Sequence, residues 1–265
     1  MELYEKIIEL KRSNKAFVIV TVVNTAGSVP GKTGFKMIVE SNGKTSGTVG
    51  GGAIEKTAIK EALNRLKISS GGLEEYILSD KGKSKDKNIV PMSCNGKVWI
   101  YYEVSGSVPT VYIFGGGHVG SALIYFLKTL NYHIVLIDNR EEFINKNKDN
   151  VNETVFEEYD KFCAKFKPVD DSYYVILTHG HKHDYEILSR LYKRNIKCKY
   201  IGVIASKDKA KGMIAKLKDD IGTKVNLDIL HTPIGLKIGG NTAEEIALCI
   251  AAEMQSVRFN KETKS

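Results

Sequence analysis

The sequence lacks any apolar run long enough to cross a bilayer. Its longest, Ala16–Val23 (AFVIVTVV), is broken by a threonine and falls far short of the ~20 residues that a membrane-spanning helix needs. Paired cysteines are also missing. Cys94, Cys163, Cys198 and Cys249 are widely separated and no two form C-x-x-C. That disfavours structural zinc and a disulfide framework, and favours a reducing compartment. The charged first fifteen residues carry no signal-peptide pattern, so the expectation is a cytoplasmic location and no membrane association. Acidic residues are outnumbered, 31 against 39 Lys and Arg, for a net charge of +8. Yet there is no basic stripe interleaved with aromatics, and the densest lysine run, Asp80–Asn88 (DKGKSKDKN), reads as a solvated loop. Nucleic acid is therefore not an expected partner, whereas small anionic molecules fit.

What is present centres on Val111–Arg140, VYIFGGGHVGSALIYFLKTLNYHIVLIDNR. Val111–Phe114 is a short β-forming apolar run, the mark of a fully buried strand. Gly115, Gly117 and Gly120 follow as G-x-G-x-x-G. Leu123, Ile124, Leu127 and Leu130 then share one face of a helix predicted over Ser121–Leu130. A second strand, His133–Ile137, runs into Asp138. In such a frame Gly115 makes the tight turn, Gly117 admits a pyrophosphate to the backbone, and Gly120 lets helix approach strand. The helix start, with His118 beside it, offers N–H groups to phosphate. Asp138, 18 residues beyond Gly120, stands where a ribose hydroxyl would be read. The frame predicts a Rossmann unit; whether a nucleotide occupies it is a separate matter.

Around this stretch the residues divide into two regions. Residues 1–105 predict a smaller α+β domain: a helix over Glu2–Arg12, a strand Ala16–Asn24, a long loop Thr25–Gly34, a hairpin closed by Ser41-Asn42-Gly43, and a helix Ala53–Leu66. Strands Leu73–Ser79 and Lys97–Val104 complete it. Ser105–Pro109 is a linker signal. Residues 110–258 alternate strand and helix, which implies a doubly wound parallel sheet. Its later strands are expected at Thr154–Phe156, Tyr173–Thr178, Tyr200–Ile204 and Leu227–Leu230. Its later helices are expected near Tyr159–Phe166, Asp184–Asn195, Asp208–Lys218 and Thr242–Met254. Thr242 and Glu245 are spaced as a capping box.

Several loops carry candidate chemistry. Gly27 and Ser28 lie in the long N-terminal loop. Gly50, Gly51 and Gly52 lead into a helix, a second place where an anion could meet free amides. Cys94 sits in a loop (IVPMSCNG) just before a strand, where a thiolate role competes with that of an inert cysteine. Thr178–Asp184 (THGHKHD) follows a strand, so His179 and His181 lie at a carboxyl edge. The order H-x-H-x-H-D departs from the metallo-hydrolase pattern H-x-H-x-D-H, and no fourth ligand stands out, so no metal is expected there. Ser206 and Lys207 open another helix, and Pro233 and Gly235 belong to the glycine-rich loop His231–Glu245. Repeated glycine turns at strand ends point to an anionic ligand cleft.

Taken in order, these motifs resemble the XdhC/CoxI proteins, accessory factors of molybdenum hydroxylases such as xanthine dehydrogenase. GSVPGKTGFKMIV (Gly27–Val39), GTVGGGAIE (Gly47–Glu55), SCNG, FGGGHVG, LIDNREEF, THGH, YIGVIASKDK and HTPIGLKIGGNTAEEIALCI look like the family's successive blocks over about residues 15–255. Two departures stand out: Ala53 follows the triple glycine where the family often has cysteine, and Asn95 replaces the first glycine of a Cys-Gly-Gly element. The resemblance implies a cytoplasmic chaperone rather than a catalyst. It would bind molybdenum cofactor, as molybdopterin or its dinucleotide, and assist its sulfuration, with Cys94 alone contacting sulfur or molybdenum. Implied partners are an apo molybdenum hydroxylase, a cysteine desulfurase and a second copy of the chain. Two other readings remain open: an NAD(P)-dependent oxidoreductase built on the Rossmann turn, which lacks an evident hydride-transfer pair, and a metal-dependent hydrolase resting on His179, His181 and His183.

Overall fold

The structure, a computed structural model, describes residues 2–79, 88–222 and 225–261, apart from the side chain of His181. The lysine run read as a solvated loop lies, but for Asn88, outside the described residues. The chain divides into two compact units, residues 1–107 and 108–265.

The first unit begins with α1 (Leu3–Arg12), whose Leu10 is buried with Phe17 and Ile38. A six-stranded sheet follows, in the order β3-β2-β1-β6-β4-β5. Its members are β1 (Phe17–Gly27), β2 (Lys36–Glu40), β3 (Thr45–Gly47), β4 (Gly72–Leu78), β5 (Ile89–Val90) and β6 (Gly96–Ser105). The expected hairpin is β2–β3: the Gly43 amide donates to the Glu40 carbonyl at 2.8 Å across its turn. Helix α2 (Gly52–Ile68) lays Ile54, Ala58 and Ala62 on the sheet, the apolar face visible in the sequence. The strand predicted to stop at Asn24 runs on to Gly27, because residues 24–27 pair with Gly96–Trp99 of β6 after a bulge between Val22 and Asn24. The loop is shorter than its composition suggests for that reason.

The second unit is a six-stranded, all-parallel sheet in the order β12-β11-β10-β7-β8-β9. In chain order its elements are β7 (Thr110–Phe114), α3 (His118–Thr129), β8 (His133–Asp138), α4 (Glu141–Asn147), β9 (Glu153–Phe156), α5 (Tyr159–Lys165), β10 (Ser172–Ile176), α6 (His181–Lys193), β11 (Cys198–Val203), α7 (Lys207–Ile221), β12 (Leu230–His231) and α8 (Ala243–Arg258). Chain order reverses between β7 and β10, which is the doubly wound, Rossmann arrangement. Leu123, Ile124 and Leu127 of α3 meet Ala247, Ile250 and Met254 of α8 on one face. Phe162 of α5, Ile187 and Leu191 of α6, and Met213 and Leu217 of α7 cover the other.

Several elements differ from the sequence expectation; α6, for one, starts at His181 instead of Asp184. Helix α3 starts at His118 instead of Ser121, since Gly117 already serves as its N-cap. The strand expected at Leu227–Leu230 is displaced to Leu230–His231: the Leu230 amide bonds back to the Leu227 carbonyl at 3.0 Å and closes a turn there. Helix α4, seven residues long, was too short to show a periodicity.

Candidate functional site

The chain reversal puts the loops after β7 and β10 side by side at the carboxyl edge of the second unit, where α/β sheets take ligands. Gly115 adopts φ +108°, and a Cβ there would strike the Leu177 carbonyl. A Cβ on Gly120 would strike the Gly115 carbonyl. Both glycines are thus required by the fold. Gly117 is not: its φ is −63° and a Cβ would meet nothing within 4 Å. The backbone opposite α3's first amides is left open, the geometry a phosphate needs. His118, the first helical residue, is exposed beside it.

Asp138 is fully buried and its carboxylate is engaged from several sides. It accepts from the Gly116 amide at 2.7 Å, and from the amide, Nε and Nη2 of Arg140 at 3.0, 2.9 and 2.9 Å. Burial alone would raise this carboxyl's pKa. The Arg140 and Gly116 hydrogen bonds more than offset that and hold it below the usual carboxylate range. The acid expected at a ribose therefore ties the glycine turn to the start of α4. Arg140, not singled out from sequence, caps that arrangement and lies over the Phe143 ring at 4.0 Å. Its signal was available as an arginine two residues beyond the acid.

After β10, the Thr178 hydroxyl donates to buried Asp184 at 2.5 Å, which fixes the turn at Gly180. His179 is exposed and its ring lies 5.5 Å from that of His183, which in turn meets the buried Tyr159 ring at 5.7 Å. His181 opens α6. Among the described residues, no group of three or more His, Cys, Asp or Glu is placed to hold a metal. Ser206 caps α7, its hydroxyl accepting from the Lys209 amide at 3.4 Å, and Lys207 is exposed at the helix start. Beyond β12, the Thr232–Pro233 peptide is cis. Gly235 donates its amide to Glu253 at 2.9 Å. The same carboxylate accepts from the Tyr200 hydroxyl at 2.6 Å and pairs with His231 Nδ1 at 3.3 Å.

In the first unit three segments far apart in sequence meet. A Cβ on Gly27 would lie 2.8 Å from the Asn95 carbonyl, and one on Gly96 would lie 2.5 Å from that of Ser28. A Cβ on Gly50 would lie 2.5 Å from the Gly31 amide, and one on Gly52 would reach the Met92 methyl at 3.1 Å. The Gly27-Ser28 loop, the Gly50-Gly51-Gly52 start of α2 and the Met92–Cys94 segment are thus packed together. Cys94 is half-buried there, while Ser28 and Gly52 are exposed. The amides of this helix start are partly met from within: Glu55 accepts from Gly51 at 3.2 Å and from the Thr48 hydroxyl at 2.5 Å. That residue was also missed, although an acid one turn into a helix is a capping signal. Burial pushes the thiol of buried Cys163 up to about 12 and that of half-buried Cys198 up to about 11, which keeps both protonated and unreactive.

The family model for the XdhC Rossmann domain matches residues 111–254, and that for the XdhC and CoxI family matches residues 10–76. Among curated proteins, the chain is similar to the uncharacterized protein YqeB of Escherichia coli strain K12. They are 27% identical over 263 residues, 98% of this chain and 47% of the relative. A protein of Bacillus subtilis strain 168, described as a probable xanthine dehydrogenase component, is also 27% identical, over 153 residues that cover 57% of this chain and 43% of that one. The chain thus spans less than half the length of either relative. A crystal structure described as a xanthine dehydrogenase from Bacillus halodurans aligns over 100% of this chain and 98% of its own, with a TM-score of 0.51 and 20% identity, a likeness of fold. Among the described residues, no helix is long and apolar enough to cross a membrane.

Proposed function

The chain belongs to the XdhC and CoxI family, and from that membership we propose that it is an accessory protein for a molybdenum hydroxylase of the xanthine dehydrogenase kind. In this reading molybdenum cofactor, as molybdopterin or its dinucleotide, is cargo. The protein holds it, assists replacement of an oxo ligand by sulfur, and passes it to the apo-hydroxylase. A cysteine desulfurase supplies the sulfur, and the chain acts as a cytoplasmic homodimer, as a maturation chaperone more than as a catalyst.

The observation that carries the reading is the meeting of the Gly27-Ser28 loop, the triple glycine and the Cys94 segment in one place. Glycine-walled backbone suits a flat pterin with a phosphate, and the sulfurs of Cys94 and Met92 are soft donors suited to molybdenum. The Rossmann turn supports a phosphate or nucleotide portion, because a Cβ at Gly117 would meet nothing within 4 Å beside the start of α3. NAD(P) is a second reading of that turn. It is favoured by Gly117 and disfavoured by Asp138, whose hydrogen bonds to Arg140 and Gly116 would have to be exchanged before it could read a ribose.

The test is Cys94→Ser, with thermal stability and activation of an apo-hydroxylase measured together. A half-buried loop thiol contributes little to folding, so the melting temperature stays put. Activation falls roughly tenfold, the equivalent of one lost anchoring contact of about 1.4 kcal/mol. Full activation by Cys94→Ser would remove the thiolate from the reading, and a lowered melting temperature with normal activation would return Cys94 to the core.

A further inference from the structure

Asp138 has no room for another hydrogen bond. A carboxylate offers about four lone-pair sites, and all are filled: Oδ1 by the amide and Nε of Arg140, Oδ2 by the Gly116 amide and Arg140 Nη2. Two of these donors are backbone and stay with the turn. The other two belong to the guanidinium, on a side chain that is 27% exposed and lies over the Phe143 ring.

Beside this carboxylate lie buried polar atoms with nothing to bond. The loops after β8 and β9 meet there, the Glu157 amide donating to the Asp138 carbonyl at 3.3 Å. Tyr159 opens α5 and is 2% exposed, and its hydroxyl makes no hydrogen bond. Its polar neighbours are the Asp138 carboxylate and the Asn139 amide. Burial first, and then the Asp138 charge, raise its pKa, so it is a neutral phenol with a proton to donate. Asn139 Nδ2 donates to Glu158 at 3.1 Å, but its buried Oδ1 also lacks a partner. An unpaired buried hydroxyl is costly, and one next to a carboxylate calls for a reason. The reason here is that the carboxylate is full. Withdrawing the guanidinium frees one site on each oxygen.

We propose that Arg140 and Tyr159 exchange places on Asp138 when a ribonucleotide binds. The guanidinium leaves for solvent, the Tyr159 hydroxyl takes one vacated site, and a ribose hydroxyl of the ligand takes the other. This exchange rests on the nucleotide reading of the Gly117 turn. The buried carboxylate keeps four donors throughout, two amides with the guanidinium before binding and the same amides with phenol and ribose after it. A ligand without ribose hydroxyls supplies no fourth donor, so the exchange selects ribose over its deoxy forms.

Two measurements on the full chain test this. Without ligand, melting temperatures are compared for Tyr159→Phe, Arg140→Ala and the double variant. Tyr159→Phe leaves the wild type as stable or slightly more so, since no bond is lost. In the Arg140→Ala background, where the hydroxyl has moved onto Asp138, it lowers the melting temperature by a few degrees. Arg140→Lys, which gives up one of the two guanidinium bonds, takes the same place in the cycle if Arg140→Ala does not fold. With ligand, calorimetry compares ADP and CDP with their dideoxyribose counterparts. Wild type binds the ribose forms roughly tenfold more tightly, and Tyr159→Phe loses most of that preference while binding the dideoxy forms unchanged. An equal loss of stability on Tyr159→Phe in both backgrounds would show the hydroxyl already satisfied, and would overturn the exchange. So would equal affinity for ribose and dideoxyribose forms, or a ribose preference that Tyr159→Phe leaves intact. A wild type that binds none of these nucleotides overturns it by a different route, because the nucleotide reading of the turn then falls first.

Discussion

Gly117 and Gly120, three residues apart, do different work, and the difference is measurable. Gly120 faces the Gly115 carbonyl with no room for a methyl group, while Gly117 faces open space at an ordinary φ. Gly120→Ala must push α3 off β7, an overpacking cost of about 1–3 kcal/mol or more. Gly117→Ala leaves the fold within about 0.5 kcal/mol of wild type, yet places a methyl group where an anion would approach the α3 amides. Chemical denaturation of both variants beside calorimetry with a molybdopterin or adenine nucleotide separates the two effects. Unchanged nucleotide affinity in a folded Gly117→Ala chain removes the phosphate role from this turn. Asp138 makes the complementary point. Its position at a strand end was legible, but its engagement by Arg140 and Gly116 was not, because an acid in the sequence does not say whether its hydrogen bonds are already taken.

At the scale of elements, what could be read depended on the range of the interactions. Helix α8 was legible to its cap: Thr242 and Glu245 form the box that their spacing announces. The apolar faces of α2 and α3, the parallel strands and the glycine turn were legible for the same reason, since each rests on periodicity within a dozen residues. The hub built on Glu253 was not. Its partners Tyr200 and Gly235 lie 53 and 18 residues away, and nothing local marks them. The same holds for the meeting of Gly27, Gly50 and Cys94, where the sequence supplied the pieces and only folding brought them together. The hub gives a prediction about a segment rather than a residue. Burial alone would raise the Glu253 carboxyl, but the bonds from His231, Tyr200 and Gly235 lower it on balance. Glu253→Gln keeps the shape and removes the charge, which costs about 2 kcal/mol, the scale of hydrogen bonds to a charged group. It also releases the backbone from His231 to Gly240, and hydrogen exchange there speeds up while α3 stays protected. Uniform loss of protection would show that Glu253 holds the whole unit and not this loop.

The whole molecule carries its strongest pH dependence on phenols. Tyr76 and Tyr102 share a buried 2.8 Å hydrogen bond in the first unit, while Tyr132, Tyr159, Tyr174 and Tyr200 are buried in the second. Burial disfavours the phenolate in each. It pushes Tyr76 and Tyr132 up to about 12, and raises Tyr102, Tyr159, Tyr174 and Tyr200 above the ordinary phenol range. A group whose folded pKa exceeds its unfolded value stabilises fully below the unfolded pKa, about 10 for tyrosine. That contribution is lost as pH rises from there through the folded pKa. Each such group weakens the fold as pH rises through that range, and with several in each unit the losses add against a total stability of only about 5–15 kcal/mol. The acid side is gentler. Asp138 and Glu253 are buried carboxylates with lowered pKa values, so their share is present above pH ~4 and lost below it. The expected profile is a plateau through neutral pH, a gradual acid decline, and a steep alkaline collapse within about two pH units above 10. Circular dichroism and tyrosinate absorbance, followed together as pH is raised, check this. The buried phenols ionise with the loss of secondary structure, in one step. A smooth phenol titration near pH 10 that leaves the dichroism intact would show that these hydroxyls reach solvent in the folded protein, and that the two cores are looser than their packing implies.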